Sequence, residues 1–206
     1  MKTEYINGDI SDGFIEIGSP YYGKLHCNEI VYHCRLKRFT NKYDTSIRLF
    51  KLHGSLDYVP FYNTDNFGVM TLDNYIKIQY GIGCGQLLKE NKDKADYDSS
   101  PFAYHADFLT GTTYKISRYD KGIFKTLFNS FKKNLQEAEK LIIIGYGCKD
   151  KGINEIIKEN FNFKNKPSII IDPLAKEGSQ VYKFKEEINA ILLKEEIENL
   201  TEELFQ

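Results

Sequence analysis

The sequence predicts an α/β fold built on a parallel sheet, and three features of its second half carry that expectation. Ile123, Leu127, Phe131 and Leu135 recur every four residues, and Phe124 and Phe128 widen the stripe. That is the pattern of an amphipathic helix laid against a sheet. Two short, wholly apolar runs, 141–144 and 168–171, have the length and composition of strands covered on both faces. Between them Asp150 can cap a helix whose Ile153, Ile156, Ile157 and Phe161 share one face. Helix, strand, helix and strand in alternation imply parallel pairing.

The remaining elements follow in chain order. The first forty residues read as extended segments and turns, with 29–34 as a strand. Residues 47–53 read as a second strand ending at His53, and Gly54 lets the chain leave the sheet sharply. Residues 61–113 read as an irregular insertion or cap, holding polar turns, a strand at 75–78, a glycine cluster at 81–85 and a charged stretch. Residues 102–109 offer another strand. After 171, Asp172-Pro173 ends the strand, 190–193 is a further strand, and 195–204 is a helix rich in Glu.

Bulk composition narrows the function classes. Its 206 residues suit one domain with a proper core. Hydrophobic residues at 41% and charged residues at 28% are globular values that argue against disorder. With 28 basic and 29 acidic side chains there is no basic excess, so nucleic acid is not an expected partner. No apolar run approaches the length of a membrane span, and the first residues lack the apolar core of a signal peptide, so a cytoplasmic location is expected. Cys27, Cys34, Cys84 and Cys148 form no C-x-x-C pair, and no metal is expected. His26-Cys27 and His33-Cys34 repeat at a seven-residue step, but neighbours on a strand point to opposite faces and cannot all converge.

Two constellations could carry chemistry. Gly145-Tyr146-Gly147 follows a buried strand and precedes a helix, a place where backbone can approach a phosphate and a helix N-terminus favours negative charge. Asp150 stands where the full dinucleotide fingerprint has its third glycine. Asp172 ends the next strand, where a carboxylate can accept hydrogen bonds from ribose hydroxyls. An ordinary tight strand-to-helix turn accounts for the same residues. The other constellation is Lys51-Leu-His53-Gly54-Ser55-Leu-Asp57. A histidine at the carboxyl end of a strand can serve as a general base near neutral pH, or simply bond nearby backbone.

Taken together, Lys-Leu-His-Gly-Ser-Leu-Asp57, Phe108-Leu-Thr-Gly-Thr-Thr-Tyr-Lys115 and the run from Leu141 through Gly-Tyr-Gly-Cys-Lys-Asp-Lys-Gly-Ile-Asn154 resemble the SIR2-like domains of bacteria. These are relatives of the sirtuins often found in anti-phage defence. The resemblance covers roughly 47–172. It implies a Rossmann-like parallel sheet with flanking helices that binds NAD as a substrate and hydrolyses its nicotinamide–ribose bond. His53 would then be the catalytic histidine. Gly145, Tyr146 and Gly147 would line the phosphate and ribose pocket, and Asp172 would lie near the adenosine ribose; Asn154 matches the family's helix asparagine, as a cofactor contact or as a structural residue of the helix surface. The paired cysteines of sirtuin zinc ribbons are absent, which points to the zinc-free NAD-cleaving branch.

The departures from that pattern set the remaining expectations. No Gly-Ala-Gly-x-Ser loop or Thr-Asn-Tyr-Asp segment precedes His53, and Thr40-Asn-Lys-Tyr-Asp44 reads as a turn because it lacks the strand context. The chain thus reads as the C-terminal part of a single SIR2-like domain over 1–206, its sheet incomplete at the N-terminal half. An exposed half-sheet implies self-association or a protein that supplies the missing half. A rival from another class is a non-catalytic module that binds a nucleotide, or only a protein partner.

Overall fold

The computed structural model describes residues 10–99, 105–109 and 115–201. They belong to two compact units, 1–128 and 129–206.

The first unit is dominated by antiparallel sheet. Its elements in order are β1 (Ile10–Ser11), β2 (Gly13–Ile15), β3 (Tyr21–Cys27), β4 (Ile30–Arg35), β5 (Lys37–Lys42), β6 (Ile47–Arg48), β7 (Tyr58–Thr64), β8 (Met70–Lys77), β9 (Leu87–Asn91), β10 (Asp96–Ser99) and the short helix α1 (Lys115–Arg118). Helix α2 (Gly122–Glu137) follows. One four-stranded sheet has the order β10-β9-β3-β4, the other β2-β5-β8-β7, and β1 pairs with β6. Short turns account for the antiparallel ladders between successive strands, β3–β4, β7–β8 and β9–β10, while β2–β5, β3–β9 and β5–β8 pair over longer separations. Between β3 and β4 the turn is only Asn28-Glu29, with φ of 49° and 67°, the left-handed pair that a two-residue hairpin of right-handed twist requires.

The core of this unit draws on both four-stranded sheets. Tyr21 and Leu87 come from one, Val59, Phe61 and Ile76 from the other, and Ile82 joins them. Leu36, fully buried, sits where the chain crosses from β4 to β5 and donates its amide to the Tyr21 carbonyl at 2.9 Å. A cluster of this kind, closed from two faces, is the usual solution for half-buried antiparallel sheets.

The second unit contains β11 (Leu141–Ile144), α3 (Lys151–Asn160), β12 (Ser168–Ile171), α4 (Gln180–Glu187) and β13 (Ile191–Leu193), with a 3₁₀ turn at Ile197–Asn199. The three strands are parallel in the order β11-β12-β13. Asp150 caps α3 by accepting the Ile153 amide, and Ile153, Ile156, Ile157 and Phe161 are buried as their spacing predicts. In α2, Ile123, Phe124, Leu127, Phe128 and Leu135 are buried.

The expected Rossmann-like parallel sheet with flanking helices is not what this chain forms. Among the described residues most strands lie in antiparallel sheets, and parallel pairing is confined to β1–β6 and the three short strands β11 to β13. Among the described residues the N-terminal half lies mainly in antiparallel sheet rather than in an incomplete parallel one, and the middle is not irregular. β8 pairs with β5 and β9 with β3, so the middle completes ladders begun earlier. Within the second unit β11 is an edge strand, which leaves Ile144 42% exposed rather than covered on both faces. The strand expected at 47–53 stops at Arg48. Of the expected strand at 102–109 only an isolated bridge between Phe108 and Gly54 lies among the described residues. α4 has no counterpart among the elements the sequence predicts, and the tail forms the 3₁₀ turn where a longer helix is expected; residues 202–206 lie outside the described residues. No helix among the described residues is long and apolar enough to cross a membrane.

Candidate functional site

The three parallel strands end in register. Ile144 pairs with Ile171 and Ile171 with Leu193, so Gly145, Asp172 and Lys194 follow one another across the carboxyl edge of the sheet. The Gly145 amide donates to the Ile171 carbonyl at 3.3 Å, and the Asp172 amide to the Leu193 carbonyl at 3.1 Å. Gly145 takes a φ of 64°, the left-handed region that glycine enters without a steric penalty. A Cβ built there would meet nothing within 4 Å, so the turn faces open space.

The rest of the turn is closed upon itself. The Tyr146 hydroxyl lies 2.8 Å from Asn154 Oδ1 and 2.9 Å from the Asp150 carbonyl oxygen. Asn154 Nδ2 donates to the Cys148 carbonyl at 2.9 Å. Two of the predicted cofactor-binding residues are thereby committed to stapling the turn onto the first helical turn of α3. Cys148, 1% exposed with φ of 53°, stores strain of about 1 kcal/mol and donates its thiol to the Tyr146 carbonyl at 3.3 Å. Burial pushes that thiol up to about 11, and the nearby Asp172 carboxylate adds to the shift. A thiol so protonated is an inert donor, not a nucleophile.

Asp172 is half-buried and accepts the Leu174 amide on Oδ1 at 2.9 Å. A carboxylate accepts through two oxygens, so one remains able to accept a hydrogen bond from a sugar hydroxyl. At α3 the Asp150 carboxylate already occupies the helix N-terminus by accepting the Ile153 amide at 3.3 Å. An anion at that end would meet a like charge, so phosphate is better served by the Gly145–Gly147 backbone and by Lys149, the cation of the turn. The sequence motifs single out neither Lys149 nor Lys194. Lys194 stands out only once the third strand is known, because its place at the edge depends on the register of β13.

His53 belongs to the first unit. It lies not at the end of a strand but in a turn at 52–53, with its side chain exposed, and its carbonyl accepts the Leu109 amide at 2.8 Å. Gly54 is there for a structural reason. At its φ of 77° an added Cβ would stand 2.4 Å from the Asp107 carbonyl oxygen and 3.0 Å from Phe108 Cα. Glycine alone lets those two backbones touch. Lys51 Nζ reaches Ser55 Oγ at 2.9 Å and Asp57 at 3.5 Å, and Lys77 approaches Asp57 at 3.8 Å. Partial burial pushes the Asp57 carboxyl up, but the Ser55 hydroxyl with Lys51 and Lys77 outweighs it and holds the group below the ordinary carboxylate value. The Lys51–Asp57 motif is thus a turn pinned by ion pairs, with His53 at its exposed tip.

A concavity of about 640 Å³ runs along β13, lined among others by Tyr182, Lys185, Ile191 and Lys194. Gly145, Tyr146, Gly147, Asn154 and Asp172 are not among its lining residues. The β3–β4 register sets His26 opposite Val31 and His33 opposite Lys24. Compared with known proteins, the chain matches no family model, and no curated protein matches it.

Proposed function

We propose that the chain handles NAD or a closely related nucleotide at the carboxyl edge of its three parallel strands. The observation that carries the reading is the juxtaposition of Gly145 and Asp172 at the ends of β11 and β12, with open space before the glycine and a carboxylate oxygen beside it. Ligands of parallel strands bind outside their carboxyl ends, where backbone amides and a terminal acid converge. In this reading Asp172 takes the ribose hydroxyls, the Gly145–Gly147 backbone and Lys149 face the phosphates, and Tyr146 and Asn154 hold the turn in shape.

Beyond binding, the SIR2-like resemblance implies hydrolysis of the nicotinamide–ribose bond, with His53 as the catalytic histidine. A second reading, a binding module without turnover, is favoured by the closed hydrogen bonds of Tyr146 and Asn154 and by the place of His53 in an exposed turn. Incubation of the purified chain with NAD, beside a His53→Ala variant, separates them. Consumption by the wild type alone supports the hydrolase. Binding without consumption supports the module, and neither binding nor consumption overturns both.

A further inference from the structure

A second sheet edge lies in the first unit. β4 closes the order β10-β9-β3-β4, and among the described residues its only ladder is with β3. Exposed edges are normally blunted by lysine, proline or a bulge. β4 reads Ile-Val-Tyr-His-Cys-Arg, its register with β3 is unbroken from Ile30 to Arg35, and Ile30, Val31 and Tyr32 are 54%, 46% and 49% exposed. We propose that β4 pairs antiparallel with β4 of a second copy of this chain, about a two-fold axis through Tyr32, joining the two sheets into one.

The hairpin fixes which registers are possible. A two-residue turn at Asn28-Glu29 makes Cys27 and Ile30 a hydrogen-bonded pair. Ile30, Tyr32 and Cys34 therefore turn their backbone groups towards β3, while Val31, His33 and Arg35 turn theirs outward. Outward groups of one copy must meet outward groups of the other, so the axis passes through a residue and not between two. An axis at Tyr32 sets Val31 against His33, Ile30 against Cys34 and Tyr32 against itself. No charged side chain then faces a like charge, and Arg35 of each copy comes beside Glu29 of the other. Shifting the axis to Val31 or His33 separates Glu29 from Arg35. Both side chains are exposed; Arg35 spends one donor on the Ser19 carbonyl at 2.9 Å and a guanidinium has five. This self-complementarity, apolar in the middle and oppositely charged at the ends, selects a second copy over a foreign strand.

The test is sedimentation equilibrium of the full chain, independent of nucleotide. The wild type is expected to dimerise reversibly at micromolar concentrations. Glu29→Arg and Arg35→Glu, each alone, should weaken the dimer by about tenfold, since each puts like charges at both ends, and the double exchange should restore it. Val31→Pro removes an outward amide without touching the β3 ladder and should leave a monomer. If Val31→Pro fails to fold by circular dichroism, the charge exchange decides alone. A wild type that stays monomeric overturns the proposal. So does a double exchange no tighter than the single variants, or a folded Val31→Pro chain that still dimerises.

Discussion

The Tyr146 hydroxyl stands 2.8 Å from Asn154 Oδ1, and the same amide donates to the Cys148 carbonyl at 2.9 Å. These two side chains tie the turn after β11 to the start of α3. Asn154→Ala removes both bonds at once and should cost about 1–2 kcal/mol, because the half-buried Cys148 carbonyl loses its donor while the Tyr146 phenol keeps the Asp150 carbonyl as acceptor. Tyr146→Phe should cost about 1 kcal/mol. Urea unfolding of both and of the double variant checks this: the double should cost less than the sum of the singles. Strict additivity would show that the two groups do not act together.

Two glycines of the sequence motifs carry different burdens. At Gly145 an added methyl meets open space, so Gly145→Ala should cost about 1 kcal/mol, from the left-handed backbone alone. At Gly54 the methyl would strike the Asp107 carbonyl, and Gly54→Ala should cost about 3 kcal/mol or more. Thermal unfolding ranks the two, and an equal loss would show that the backbone at Gly54 yields.

Acid should weaken the first unit through Asp57 and Asp73. Burial pushes the Asp73 carboxyl up, but Lys89, Tyr21 and Asn63 outweigh it and hold it, like Asp57, below the ordinary carboxylate value. A group depressed in the folded state adds stability above its unfolded value, near 4, and that part is lost as pH falls through the folded value. The urea midpoint should therefore drop below about pH 4, and less steeply in Asp57→Asn. An equally steep drop in that variant would remove Asp57 from the account.

Thiol chemistry should divide the cysteines. Cys148 is buried and its thiol is pushed up to about 11, whereas Cys27 is exposed. At neutral pH an alkylating reagent should label Cys27 rapidly and Cys148 only on unfolding. Mass spectrometry of the labelled peptides reads this directly, and early labelling of Cys148 would show that the turn opens.

Physical signals explain which parts of the molecule are legible in the sequence. The stripe on α2, the Asp150 cap and the apolar runs of β11 and β12 are readable because a period, a capping side chain and an unbroken apolar run are local properties. The antiparallel sheets are legible only in part. The strands read at 29–34 and 75–78 form as β4 and the inner end of β8, but β4 is almost wholly exposed, and the outer half of β8 from Met70 to Asp73 likewise, so neither shows the alternation that would reveal how it pairs. The expected fold class extends the pattern of the last third to the whole chain, and the pairing of β9 with β3 and β8 with β5 overturns it. α4 buries only Val181 and Phe184, too few to show a period. At His53 the apolar-rich run from Ile47 to Leu52 reads as a longer strand, but what holds Gly54 is the distant Phe108 backbone, which no local pattern records.

The central claim is that Gly145 and Asp172 form one side of a nucleotide site. Calorimetric titration of the chain with NAD, repeated on Asp172→Ala, tests it most directly. Saturable binding by the wild type, weakened by about tenfold or more in the variant, is the predicted result, since a charged acceptor to ribose is lost. Absence of binding by the wild type, or equal affinity in the two proteins, would contradict it.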